Sequence, residues 1–323
     1  KNTDDLIWTY TPPSSLAVEP IPTNVGSVRN QGIEISLRAN LLRGKKDWSW
    51  ELGLNASHNR NKVLELVEQG ETDNGMGITI QGSGNQVLAE GHAMGAFFGY
   101  QYEGIIQDQA TINELNAQAV AAGKNTYNGS GLRPGHLLLR DVDGNGYIDN
   151  KDRMIIGSPE ADLIGGLTST LAYKRLSLYM HFGFQIGGKK LFNKTLQNLP
   201  NQLTGLVDYN LDNRWSEDNR DAKLPAMYIG DGVAPNTSLS LFNASNLRLQ
   251  ELRLSYDIPK LWGGKYLNSG EIYFTANNLF VITEYPGQDP STIGSATSNY
   301  GSNYENWNYP SSRTFSFGVK LNF

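Results

Sequence analysis

The 323-residue chain lacks several features that would place it in a common class of protein. It contains no cysteine, which excludes a disulfide scaffold and thiol chemistry. It has no run of about 20 apolar residues, so a transmembrane helix is excluded. The net charge of −5 offers no basic stripe for a nucleic acid, and an aromatic content of 10% argues against a disordered chain. No N-terminal signal peptide is visible.

Motifs of the common enzyme classes are absent too. There is no G-x-S-x-G elbow, no G-x-x-x-x-G-K-[ST] phosphate loop and no H-E-x-x-H zinc motif. The four histidines, His58, His92, His136 and His181, lie far apart and lack the spacing of metal ligands. The many carboxylates leave room for a glycosidase pair, but nothing singles one out. We therefore predict that the chain is not an enzyme and has no nucleic-acid partner.

The chain instead has long stretches in which apolar and polar residues alternate. A period of two is typical of β-strands with one apolar and one polar face. The phase slips by one near Gln250–Glu251, as it does at a β-bulge. Several runs are longer than the 5–6 residues typical of strands in soluble proteins and suit strands that cross a membrane at a tilt. The clearest runs are 33–41, 48–57, 176–186, 247–256, 272–276 and 315–323. The mean hydropathy of −0.42 is then an average over two opposite faces.

The connections between these runs are unequal in length. Short ones, at 42–47, 174–175 and 257–269, alternate with long ones at about 107–161, 187–245 and 282–312. Outer-membrane barrels have short periplasmic turns and long extracellular loops. If all the long connections lie on the extracellular side of the membrane, two strands must lie between 61 and 107. We place these strands at about 78–88 and 96–106. We therefore predict an all-β fold over 1–323, in which about ten antiparallel strands form part of one transmembrane β-barrel. A short surface helix is expected at 109–122.

Seven stretches, taken in order, resemble the C-terminal part of a SusC/RagA-type TonB-linked (TonB-dependent) outer-membrane transporter. They are Asn24–Leu37, Trp50–Leu66, Gly95–Gln107, Arg133–Gly157, Ser245–Ile258, Ile272–Phe280 and Arg313–Phe323. The resemblance implies a 22-stranded barrel blocked by an N-terminal plug. The plug and the segment that contacts TonB are absent from this chain, and Lys1–Tyr10 resembles the tail of a strand. The resemblance therefore implies a fragment of a longer polypeptide.

The same resemblance implies an importer in the outer membrane of a Gram-negative bacterium. Its substrate would be an oligosaccharide or a peptide, captured together with a SusD-like surface lipoprotein. The chain would contact the remainder of the barrel and the plug, membrane lipid and, through the missing N-terminal part, TonB. The alternative is a secreted calcium-binding β-domain that acts as a glycan- or protein-binding adhesive module. Strand length and the final Phe323 count against this alternative.

The sharpest local motif is the acidic loop 141–152, with the sequence DVDGNGYIDNKD. It matches the spacing of a calcium loop, with oxygen ligands at positions 1, 3, 5, 7, 9 and 12 and glycine at position 6. Tyr147 would contribute its backbone carbonyl, and Asp152 stands where glutamate is usual. We predict structural Ca²⁺ here; the alternative is an Asx/Gly turn without metal. The predicted ligands are Asp141, Asp143, Asn145, Tyr147, Asp149 and Asp152.

Three aromatic features complete the prediction. The terminal Phe323 resembles the signal that outer-membrane assembly machinery recognises, although any β-domain can end on a strand. Tyr300, Tyr304, Trp307 and Tyr309 suit a sugar ligand, a lipoprotein interface or simple packing. Residues of a membrane-boundary girdle are expected at Trp48, Trp50, Tyr256 and Trp262. No residue is predicted to contact substrate or partner.

Overall fold

The structure, a computed structural model, describes residues 1–4, 7–10, 21–24, 26–45, 47–66, 80–81, 85–129, 131–192, 213–226, 236–259, 268–287, 289–291, 304–305 and 311–322. Short 3-10 helices lie at Asn150–Asp152 and Ser238–Ser240. Within the described residues there is one α-helix, α1 (Gln109–Ala121). The strands are β1 (Asn2–Thr3), β2 (Ile7–Tyr10), β3 (Ile21–Asn24), β4 (Gly26–Lys45), β5 (Trp48–Leu66), β6 (Ile80–Gln81), β7 (Gln86–Ala89), β8 (Ala96–Tyr100), β9 (Tyr102–Ile105), β10 (Leu137–Leu139), β11 (Arg153–Gly157), β12 (Ala161–Tyr173), β13 (Leu176–Gly187), β14 (Lys189–Phe192), β15 (Leu241–Asn243), β16 (Asn246–Ile258), β17 (Ser269–Thr283), β18 (Tyr304–Glu305) and β19 (Thr314–Asn322).

One antiparallel sheet dominates the fold and confirms the predicted fold class. It has eight strands in the order β1-β4-β5-β12-β13-β16-β17-β19, with β1 and β19 at its edges in the described part of the chain. The strands are long, with 20 residues in β4 and 19 in β5. The segments between its strands are short at 46–47, 174–175 and 259–268 and long at 67–160, 188–245 and 284–313.

The count of about ten strands in this sheet was wrong for the described residues, where eight are present. The stretches predicted as wall strands at 78–88 and 96–106 contribute β6, β7 and β8 to a separate four-stranded sheet with β11. β7 and most of β8 are buried, so they pack in a small core of their own rather than presenting an apolar face outward. In the main sheet, the whole segment 67–160 is therefore one long connection between β5 and β12. Long and short connections still alternate along the chain.

The register of the main sheet sorts its side chains onto two faces. Because directly paired residues point to the same side, each row across the strands lies on one face. One row runs through Leu37, Leu54, Leu167, Phe182, Leu249 and Phe280. We call this side the apolar face; Phe317 is 72% exposed on it and Ile33 67%. The opposite side, the polar face, carries the row Arg38, Gly53, Thr168, His181 and Glu251.

The predicted bulge is present in β16. Leu249 pairs with Phe182 and Glu251 with His181, so Gln250 has no partner of its own on β13. The extra residue resets the alternation, as a β-bulge does. The Gln250 amide lies across Gly183, whose missing side chain leaves room for it.

Segment 67–160 has a helix and a small core outside the main sheet. The predicted surface helix is confirmed as α1, whose N-cap Asp108 accepts a hydrogen bond from Thr111 N at 2.8 Å. Its buried residue Ile112 packs with Ile106, Tyr127 and Leu132. In the described ranges, no helix is long and apolar enough to span a membrane.

Gly165, on the apolar face of β12, provides a first testable prediction about packing. A Cβ atom there would lie 2.5 Å from Cζ of Phe184 and still closer to the backbone oxygen of Asn55, which cannot rotate away. We expect Gly165→Val to destabilise the full-length protein by about 1–3 kcal/mol through overpacking. Melting in detergent measures the change. Gly104→Val in β9, where a Cβ meets nothing within 4 Å, is the control; equal melting of the two variants would contradict the prediction.

Candidate metal centre

The acidic loop follows β10 and ends in the 3-10 helix Asn150–Asp152. Its alternation of Asp, Asn and Gly favours tight turns over regular structure. Gly144 and Gly146 adopt φ values of 72° and 89°, which glycine tolerates without strain. At Gly146 a Cβ would lie 3.2 Å from the backbone oxygen of Gln118, so the loop packs closely against α1.

Three of the predicted ligands come together. Asp141, Asp143 and Asp152 each offer a carboxylate oxygen, and these oxygens all lie within 4.8 Å of one another. Asp141 accepts hydrogen bonds from Gly144 N and Gly146 N, both at 2.7 Å. Asp152 is completely buried and accepts from Val142 N and Asp149 N, also at 2.7 Å. Asp152 therefore joins the end of the loop to the backbone at its start.

The other three predicted ligands have different positions. Asn145 donates from Nδ2 to Oδ2 of Asp143 at 3.0 Å, which keeps its side chain beside the cluster. Asp149 is outside the group of three carboxylates and caps the 3-10 helix, accepting from Lys151 N at 2.7 Å. The Tyr147 ring lies under Lys124, with Nζ 4.6 Å from its centroid.

Burial and neighbouring negative charges shift the pKa values of two groups in and beside the loop. Burial raises the pKa of Asp152, and the neighbouring Asp141 and Asp143 raise it further, against the hydrogen bonds from Asp149 and Val142 that lower it. Burial and the charges of Asp141, Asp152 and Glu103 raise the pKa of Tyr127 to about 12. The donors are oxygens, which suit a hard cation such as Ca²⁺. The backbone hydrogen bonds to the same carboxylates also suit an Asx/Gly turn, so the geometry is compatible with both interpretations.

Aromatic residues gather at the end of the main sheet where the short turns lie. The Trp48 and Tyr173 rings are 4.5 Å apart between centroids, and Tyr256 lies on the same apolar face. Trp50 donates from Nε1 to Oγ of Ser169 at 3.1 Å. Three of the four predicted girdle residues therefore lie on one face near one end. Trp262 lies outside the described residues, as do Phe323, Tyr300, Trp307 and Tyr309, and only the backbone of Tyr304 is described.

A buried polar cluster at the other end of the sheet was not predicted. Arg248 on β16 forms an ion pair with Asp289, and both side chains are nearly inaccessible at 10% and 4%. Asp289 also accepts from Ser311 Oγ and, at 2.8 Å, from Ser291 N. The fully buried Lys190 donates to the backbone oxygens of Asp289 and Pro290 at 3.0 and 3.2 Å. Residues so distant in sequence leave no local signal.

The geometry defines a class of protein. A sheet of long antiparallel strands with an exposed apolar face, a polar opposite face and aromatic residues near one end is typical of the wall of a transmembrane β-barrel.

Comparisons with known proteins then identify the kind of barrel. No family model matches the chain. TonB-dependent receptor P3 of Formosa agariphila is 31% identical over 330 residues, covering 99% of this chain and 31% of the relative. TonB-dependent receptor SusC of Bacteroides thetaiotaomicron is 27% identical over 332 residues, covering 100% of this chain and 29% of the relative. The chain therefore spans about a third of the length of these relatives.

A solved structure agrees in fold. The RagAB peptide importer in its open-open state superposes with a TM-score of 0.72 and 24% identity, over 100% of this chain and 32% of that one. The predicted resemblance to a SusC/RagA-type TonB-dependent transporter is confirmed over the whole chain. The relatives are named as receptors, and this supports the prediction that the chain is not an enzyme.

Proposed function

We propose that this chain forms part of the wall of a TonB-dependent importer in the outer membrane of a Gram-negative bacterium. One observation carries the proposal: the exposed apolar face extends across the main sheet of a chain similar throughout to TonB-dependent receptors. An apolar surface of this extent is covered by lipid in a membrane protein and is costly in water. The secreted adhesive module is therefore the less favoured function.

The partners and substrate follow from the relatives. The SusC relative and the RagAB fold neighbour support a SusD-like surface lipoprotein as partner, with TonB acting through a plug on the remainder of the barrel. The fold neighbour is a peptide importer, which supports peptides, whereas the SusC-type resemblance suggests oligosaccharides. Both substrate classes stay within the proposal. The polar face would line the lumen through which the substrate passes.

Uptake by intact cells tests the transport function. Cells that express the full-length protein are given fluorescently labelled oligosaccharides in one arm and labelled peptides in another. We expect uptake of one class that disappears when either the gene for this protein or that for TonB is deleted. Recovery of the protein in the culture medium rather than in outer membranes, with unchanged uptake in the deletion strain, would contradict the proposal.

We propose in addition that the acidic loop binds structural Ca²⁺ through Asp141, Asp143, Asn145, Tyr147, Asp149 and Asp152. The three clustered carboxylates support it because their mutual repulsion is relieved by a cation. In the present arrangement Asp149 would join the ligands only indirectly, for example through water, as position 9 of such loops often does. Calcium would stiffen the loop against α1.

Calorimetric titration of Ca²⁺ into chelator-treated full-length protein tests the site. We expect one binding event, weakened at least about tenfold in Asp143→Ala because a charged oxygen ligand is lost. Asp143 is exposed, so its removal leaves the buried Asp152 and its hydrogen bonds in place. Asp47→Ala, at an exposed carboxylate in a distant turn, is the control. No binding by the parent protein, or equal binding by both variants, would support the metal-free turn.

A further inference from the structure

The apolar face of β4 and β5 ends in a group of basic residues. Arg29, Lys62 and Arg60 form this group, which we call the basic rim. It lies at the end of the sheet opposite the aromatic pair Trp48 and Tyr173. Towards the basic rim, the cross-strand pairs on this face run in the order Leu37–Leu54, Ile35–Ala56, Ile33–His58, Gln31–Arg60 and Arg29–Lys62.

The two outermost cations are opposed without a compensating acid. Arg29 and Lys62 are direct cross-strand partners, and both are exposed. Like charges directly opposite in a sheet are destabilising. Arg29 donates from Nε to the neutral Asn2 Oδ1 at 3.1 Å, and in the described part of the chain neither cation forms an ion pair. The next pair, Ser27–Glu65, faces the same way, but Glu65 forms an ion pair with neither cation.

The positive charge of Arg60 is partly compensated by a nearby carboxylate. Its guanidinium forms an ion pair with Asp162 of β12, whose backbone oxygen also contacts Nδ1 of His58 at 2.6 Å. The free positive charge of the basic rim is therefore concentrated on Arg29 and Lys62. The patch is local, because the same end of the apolar face on β13, β16 and β17 carries Ile186, Leu247 and Ile282.

The height of the basic rim matches the level of lipid headgroups. With a rise of about 3.3 Å per residue and a strand tilt of about 40°, Arg60 lies ~5 Å above Ile33 and the pair Arg29–Lys62 lies ~10 Å above it. The polar interface is about 5–7 Å thick on each side of the hydrocarbon core. Long basic side chains bend toward this interface while their stems stay on apolar surface. The cationic ends of the basic rim are thus within reach of lipid phosphates.

We propose that Arg29 and Lys62, flanked by Arg60, bind the phosphate group of an anionic membrane lipid. The phosphate would lie between the two cations and relieve their repulsion through charge-assisted hydrogen bonds. The acyl chains of the same lipid would lie over Ile33, Ile35 and Leu37, directly below on the same face. The two cations lie directly beside an apolar surface. A lipid would contact both the cations and this surface, whereas a free anion would contact only the cations.

Native mass spectrometry of the full-length protein in detergent tests this site, with diphosphorylated lipid A as the probe. We expect the parent protein to retain bound lipid A and the double variant Arg29→Gln/Lys62→Gln to bind it about tenfold more weakly. A double variant with the same charge change on the polar face, Arg38→Gln/Lys320→Gln, should bind like the parent because those side chains face away from lipid. Millimolar inorganic phosphate should not displace the lipid.

Any of four results would overturn the proposal. Equal retention by all proteins, or an equal loss in the polar-face variant, would show that the basic rim makes no specific contribution. Displacement by inorganic phosphate would indicate a free-anion site instead. A clear fall in the lipid-free melting temperature of Lys62→Gln would also count against it, because removing one of two opposed cations should relieve repulsion. If the double variant does not assemble, the single Lys62→Gln variant provides the same comparison.

Discussion

The full-length protein carrying Leu37→Arg is expected to fail to accumulate in the outer membrane. Leu37 lies near the middle of the apolar face, opposite Leu54, and is 59% exposed where lipid would cover it. An arginine at the bilayer midplane of a transmembrane barrel costs about 2–4 kcal/mol. The loss is measured as the amount of folded protein in isolated outer membranes and as the yield of refolding into lipid vesicles.

Ser36→Arg is the matched control for this substitution. Ser36 is the preceding residue of the same strand but pairs with Asn55 on the polar face, so the same side chain would enter water. We expect Ser36→Arg to assemble close to the parent level. If both variants assembled equally well, the apolar face would not face lipid, and the proposed membrane wall would be wrong.

The two faces of the wall were predictable because the information is local. The alternation in 33–41 and 176–186 assigns every residue to a face before any pairing is known, since the side-chain period of a strand is two. Even the bulge at Gln250 leaves a local trace, as the apolar phase changes between Leu249 and Leu252. Which strands pair follows from the short turns at 46–47 and 174–175, since such turns join antiparallel neighbours.

The segment between β5 and β12 was not predictable in the same way. Strands β7 and β8 are buried almost throughout, so their sequences lack the outward apolar face that marks a wall strand. A prediction from the parity of long and short connections assigned them to the main sheet, but a single long connection satisfies the same parity. Only tertiary packing distinguishes the two solutions.

The candidate metal centre shows the same limit at a smaller scale. The spacing of Asp141, Asp143 and Asp152 was sufficient to predict that they approach each other, because glycines at fixed positions turn the chain. The position of Asp149 could not be predicted from the spacing, because its carboxylate has a competing role as the cap of a 3-10 helix. A local motif therefore predicts the turn, but it does not predict which of several competing hydrogen bonds each side chain forms.

Replacing Asp289 by alanine is expected to destabilise the full-length protein by about 3–5 kcal/mol, because it leaves the guanidinium of Arg248 buried without its counter-ion. The change also removes the acceptor of Ser311 Oγ and Ser291 N. These bonds connect β16 to the segments 289–291 and 311–313, so the damage should concentrate there. Melting in detergent measures the total loss, and hydrogen exchange measures its location.

The matched control is a second ion pair on the same strand. Arg253 of β16 contacts Glu271 at 2.7 Å, but these side chains are 38% and 26% exposed. Solvent-accessible pairs contribute about 0–1 kcal/mol, so Glu271→Ala should change melting little. Equal losses in Asp289→Ala and Glu271→Ala would show that burial of the Arg248–Asp289 pair contributes no special stability.

Protonation of Asp289 at low pH should destabilise the parent protein in the same way as the Asp289→Ala substitution. Burial raises the pKa of Asp289, but hydrogen bonds from Ser311 and Ser291 and the charge of Arg248 outweigh it and hold the pKa below its ordinary value of 3.8. A carboxyl group with a lowered folded pKa contributes stability that is fully present above the unfolded pKa and is lost as the pH falls through the folded one. The stability difference between the parent and Asp289→Ala should therefore be constant above about pH 5 and should shrink below about pH 3.8. A difference that persists undiminished at about pH 2 would mean that the charge of Asp289 is not what holds Arg248, and that packing of segment 289–291 stabilises this end of the sheet by itself.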